Sequence, residues 1–181
     1  MSAASSSRSP VRWLAAVGAV AALWLIAFEN DERVPLLTWV NLGIHEFGHL
    51  VTYSASDLVT ALAGSVAQVA VPAALAIYFF LRGDWVGTGL CLAWGATSAL
   101  EVAVYVGDAK AQKLDLVAGT HDWAFILGPE GYHALGRARE LADTIRDGAA
   151  VALAVGFVLC LASPLRESRP TVERGPGTAT G

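Results

Sequence analysis

His45-Glu46-Phe47-Gly48-His49 gathers two imidazoles and a carboxylate within five residues. On a helix, His45 and His49 stand one turn apart on the same face, so both rings can reach one metal ion. Glu46 lies beside them, close enough to take a proton from a water that such an ion activates. The motif sits inside an apolar stretch long enough to cross a bilayer. There each ionisable side chain costs on the order of 2.5–3.5 kcal/mol by insertion scales. Three of them in one turn require compensation, and a divalent cation supplies it. The plainer alternative is a polar cluster satisfied by neighbouring helices.

A catalytic zinc site takes three protein ligands and keeps one position open. His45 and His49 supply two. The contenders for the third are Asp108, which closes a helical face shared with Glu101 and Tyr105, and the neighbours His121 and Asp122 in a later loop. Zinc accepts carboxylate and imidazole alike, so ligand type does not separate them. Asp108 ranks first and His121 second, the other being free to orient a ligand. Each also has a structural reading. Asp108 can be a helix-end carboxylate at the headgroups, and His121 with Asp122 can be an N-cap and its neighbour opening a short helix. Glu101, inside a span, is costly unless paired, and supports the motif if it hydrogen-bonds across to it. Gln68 reads as a bridge between helices.

These residues need a membrane scaffold, and the composition provides one. Of 181 residues 55% are hydrophobic and only 15% charged, where a soluble domain carries about a quarter charged. The net charge of −4 is small and dispersed, which argues against a nucleic-acid partner. Cys91 and Cys160 lie in apolar segments without CxxC spacing and read as packing residues rather than a disulfide or zinc ligands.

The pattern predicts an all-α polytopic membrane protein with about five transmembrane helices. Residues 1–10 are Ser-rich and expected to be disordered. The membrane domain, 11–163, opens with a span at 11–28, read as a retained signal anchor rather than a cleaved signal peptide. An acidic connector at 29–33 leads to a second span, 34–54, that carries the motif. The third, 59–81, should kink at Pro72. The fourth, 85–106, ends at Gly107-Asp108. Residues 109–146 form a polar loop with an amphipathic helix at 133–145 on the membrane surface. A last span covers 147–163, and a tail rich in Pro, Gly and Thr follows from 164 to 181. The Lys/Arg pattern places the N-terminus in the cytoplasm, the C-terminus outside and the motif at the cytoplasmic end of the bundle.

With HEFGH in a transmembrane helix, two further spans and an Asp at the end of the last, the chain resembles the site-2 protease family of intramembrane zinc metalloproteases. The resemblance covers residues 34–108, matching that family's three-helix core. It implies a Zn2+ cofactor held by His45, His49 and Asp108, with Glu46 as general base. It also implies a transmembrane or membrane-tethered protein substrate, met in the lipid bilayer of a bacterial cytoplasmic membrane. The chain departs from the family at the third ligand, where Tyr105-Val-Gly-Asp108-Ala replaces the usual Asn-x-x-Pro and Leu-Asp-Gly signature, and it has no PDZ-like insertion. The competing readings are a catalytically silent metal-binding relative and a proton or metal transporter.

Overall fold

The computed structural model describes residues 10–29, 33–116 and 120–167. The Ser-rich start, most of the acidic connector and the tail beyond residue 167 lie outside the described residues. Among the described residues there is no strand. The helices are α1 (Pro10–Glu29), α2 (Pro35–Thr52), α3 (Asp57–Leu81), α4 (Trp85–Asp108), the short α5 (Asp122–Leu127) and α6 (Ala138–Glu167), the last preceded by a 3-10 turn at Leu135–Arg137.

Local chemistry sets the boundaries. Pro35 occupies the first turn of α2, where its missing N–H is no loss. The Val59 amide donates to Ser56 Oγ at 3.4 Å, capping α3, and the Gly87 amide donates to Asp84 Oδ1 at 3.0 Å, capping α4. Between α3 and α4 the chain reverses through Gly83, whose φ of 69° suits a residue without Cβ. The two helices therefore run antiparallel.

Helix α3 runs unbroken through Pro72. Proline lacks the N–H that would bond the carbonyl four residues earlier, which belongs to Gln68. The Ser98 hydroxyl donates to that freed carbonyl at 2.9 Å, and Gln68 Nε2 donates back to the Ser98 carbonyl at 3.3 Å. The backbone defect thus becomes a reciprocal clamp between α3 and α4.

Helix α4 lies at the centre, against α3 on one side and α1 and α6 on others, its most extensive interface being with α6. Small residues permit the approach: a Cβ on Gly89 would stand 2.5 Å from the Gly156 carbonyl, and one on Gly156 2.8 Å from the Gly89 carbonyl. Helix α1 packs antiparallel to α6. Its Trp13 indole donates to the Cys160 carbonyl at 2.8 Å, and Arg12 pairs with Asp84 at 2.5 Å. The start of α1, the α3–α4 turn and the far end of α6 therefore share one end of the bundle.

Two expectations are corrected. Among the described residues four helices, not five, are long and apolar enough to cross a membrane: α1, α3, α4 and the segment Leu135–Pro164. The exception is α2. It turns Asn41, His45 and Gly48 inward and exposes Leu36, Trp39, Phe47, Leu50 and Val51, so its polar inner face lowers its hydropathy below that of a span. The second correction joins the surface helix and the last span into one continuous α6, which reaches into the segment expected to be tail. A buried stripe of Ala138, Ala142, Ala149, Leu153 and Cys160 runs along it, so packing on α4 holds the charged and apolar halves in register.

Replacing Gly89 by Ala should destabilise the bundle by about 1–3 kcal/mol, the usual cost of overpacking. Gly18→Ala, where a Cβ meets nothing within 4 Å, should leave stability unchanged. Unfolding of the detergent-solubilised variants measures both.

Candidate metal centre

His45 and His49 face the interior from one side of α2, their ring centroids 4.7 Å apart. Two glycines let the rings reach that position. A Cβ on Gly48 would meet the Ala63 carbonyl at 2.5 Å, so this glycine sets the close crossing of α2 on α3. A Cβ on Gly64 would stand 2.5 Å from His45 Nε2, so Gly64 clears the space for the ring.

The protonation pattern follows from the partners. His49 Nδ1 lies 2.7 Å from the Thr60 carbonyl, which can only accept, so Nδ1 carries the proton. His45 Nδ1 lies 3.3 Å from Gln68 Oε1. The orientation of that amide is fixed, because its nitrogen donates to the Ser98 carbonyl and, at 3.2 Å, to Glu101 Oε2. His45 Nδ1 is therefore also the donor. In the neutral rings both Nε2 atoms are then bare acceptors.

Both Nε2 atoms face the same oxygen. Asp122 Oδ2 is 3.0 Å from His45 Nε2 and 3.2 Å from His49 Nε2. Ligand atoms of these three residues lie within 4.8 Å of one another, the spacing of a group able to hold a metal ion. Two imidazole lone pairs and a carboxylate repel one another unless positive charge sits among them. Nitrogen and oxygen donors of this kind suit a divalent transition metal.

Asp122 is delivered from outside the segment that the family resemblance covers. It opens α5, which is tied down at three points. The Asp122 amide donates to the Tyr105 hydroxyl at 2.9 Å, while that hydroxyl lies 3.3 Å from Asp122 Oδ2. The Trp123 indole donates to Ser65 Oγ at 3.0 Å, fastening α5 to α3. The Ala124 amide donates to His121 Nδ1 at 3.2 Å, so His121 is the N-cap of α5.

The two residues ranked first for the third ligand thus stand apart from the group that His45, His49 and Asp122 form. The Asp108 carboxylate accepts from the Lys113 and Leu114 amides at 2.9–3.0 Å and closes the turn after α4. It also faces His121 Nε2 at 3.4 Å. His121 stacks on Tyr105 with centroids 4.3 Å apart. Burial lowers its pKa, against the opposing pull of Asp108 and Asp122. Asp108 and His121 therefore build the frame that aims Asp122. The sequence signal for this was the pair itself, since a His that caps a helix puts the next residue at its first position.

Glu101 does reach the motif, through Gln68. Its carboxylate accepts from Thr38 Oγ1 at 2.6 Å and Asn41 Nδ2 at 2.8 Å as well as from Gln68, and Asn41 in turn accepts from the Trp94 indole at 2.8 Å. This network joins α2, α3 and α4 behind His45. Glu46 stands on the open side. It lines, with His45, His49 and Asp122, a cleft of about 1260 Å³ that reaches from Arg33 and Trp39 to Leu135.

Gln68→Leu keeps the volume but removes the partner of His45 Nδ1, and should weaken divalent-metal affinity roughly 10–100-fold, the usual cost of losing such a group. Gly64→Ala should do at least as much by displacing the ring. Titration of metal-free protein with Zn2+ measures both.

No protein-family model, curated protein or solved structure matches this chain.

Proposed function

We propose that the protein is a membrane-embedded zinc peptidase that hydrolyses peptide bonds of transmembrane or membrane-tethered proteins. The observation that carries this reading is the convergence of His45 Nε2, His49 Nε2 and Asp122 Oδ2 at the wall of a cleft that Glu46 also lines and that is large enough for a peptide segment. Two imidazoles and one carboxylate fit the three-ligand set of a catalytic zinc site. Bound there, the ion would supply Lewis acidity and bring the pKa of a water towards neutrality.

The remaining work falls to side chains. Glu46 takes the proton of the attacking water as its oxygen bonds to the scissile carbonyl carbon, then gives it to the departing nitrogen as the C–N bond breaks. No covalent bond to the protein forms. The Thr60 carbonyl and Gln68 hold the imidazoles in the tautomer that leaves Nε2 free. The Tyr105 hydroxyl and the cap at His121 hold Asp122 in place. The cleft satisfies backbone groups that a substrate helix frees on unwinding, which lipid could not.

Metal analysis of purified protein should find one transition-metal ion per chain in wild type, and its loss in His45→Ala and Asp122→Ala. Asp108→Ala should retain metal at reduced affinity. Glu46→Gln should keep the ion and lose cleavage of a membrane substrate by roughly 10²–10⁴-fold, the range for general acid–base catalysis. A wild type that refuses all divalent metals, or a Glu46→Gln variant of unchanged activity, refutes the proposal.

A further inference from the structure

The direction of α2 can be traced from one end of the bundle to the other. Arg12 pairs with Asp84, so α1 starts at the level of the α3–α4 turn. If α1 and α3 both cross the membrane, α1 ends on the opposite face, the face where α3 begins. From Glu29 to Pro35 there are six residue steps, a reach of at most about 21 Å even when fully extended. A hydrocarbon core is about 30 Å thick, so the connector cannot return the chain to the face where α1 starts, and α2 starts from the side where α1 stops. From Thr52 to Asp57 the reach is shorter still, so α2 must end on the face where α3 begins. These are the same face.

The contacts along α2 show how deep it reaches. Its first half meets Trp94 and Glu101, 14 and 7 residues before the end of α4, and its second half meets Thr60, close to the start of α3. The metal group lies in the half of the bundle nearer that face. Tyr105 is three residues from the end of α4 and Thr60 three residues from the start of α3, about 4.5 Å of helix in each case, while Gly64 beside His45 is seven residues into α3, about 10 Å.

We infer that α2 enters and leaves the membrane on one face, and that the metal centre opens there, opposite the face shared by the start of α1 and the end of α6. The N-terminus and the metal centre therefore cannot both be cytoplasmic, as the five-span reading required. Resting on the peptidase reading, a second consequence follows: the bond cut lies in the interfacial flank of a substrate's span, on the face of α5, and not at mid-membrane.

Single cysteines test the arrangement in sealed vesicles with a membrane-impermeant thiol reagent, in a Cys91→Ala/Cys160→Ala background. Val11→Cys and Arg82→Cys should be labelled from one face, and Asp115→Cys and Glu130→Cys from the other. Labelling of Val11→Cys and Asp115→Cys from the same face would mean that α2 crosses, and overturns the inference. Arg82→Cys provides the second reading, because a crossing α2 would separate it from Val11→Cys. Mapping the cut in a single-span reporter tests the consequence: a flank cut on the Asp115 face is expected, and a mid-span cut overturns it. If the labelling is as expected and the reporter stays whole, the peptidase reading fails while the path of α2 stands.

Discussion

The candidate site depends on three ligand atoms held face to face. The Nε2 atoms of His45 and His49 converge on Asp122 Oδ2 at 3.0 and 3.2 Å, with the ring protons turned away towards Gln68 and the Thr60 carbonyl. With both rings neutral such an arrangement is repulsive, and a cation bound at the focus would reverse the sign of the interaction. Each participant is anchored from behind by a hydrogen bond. Of the glycines, Gly48 and Gly64 act on this point, by letting α2 close on α3 and clearing space for the His45 ring.

The anchoring comes from unrelated parts of the chain. Pro72 frees a carbonyl, Ser98 takes it up, and the resulting clamp fixes Gln68, which in turn orients His45. Glu101 stabilises the other end of the Gln68 amide, and its own charge is met by Thr38 and Asn41. A second line runs from Asp108 through His121 to α5 and places Asp122. Among the carboxylates and histidines near the site, His45, His49 and Asp122 face the focus, while Glu101, Asp108 and His121 stand behind them. Sequence spacing alone does not sort one from the other.

The position of the centre bears on what it can act upon. A site in the middle of a span would have to draw a substrate helix deep into the bundle and unwind it there. On the proposed peptidase reading, a site in the half of the bundle nearer one face would meet chain closer to where it leaves the bilayer and water satisfies part of the exposed backbone. The helix carrying the motif is correspondingly amphipathic, with imidazoles and amides inward and Trp39, Phe47 and Leu50 outward.

The sequence by itself determined the helical class, the extents of α1, α3 and α4 to within about two residues, and the role of α2 as the element presenting His45, Glu46 and His49 to one side. These are local properties: a run of apolar residues sets a helix's length, and a spacing of four puts two side chains on one face. Only the tertiary structure decided that α2 is not long and apolar enough to span, that the surface helix and last span are one, and that Asp122 comes together with His45 and His49 in a group able to hold a metal ion. Each of those depends on residues far apart in the chain. Asp122 meets His45 across 77 positions, and no local pattern distinguishes it from its neighbour until the cap at His121 and the hydroxyl of Tyr105 turn its carboxylate inward.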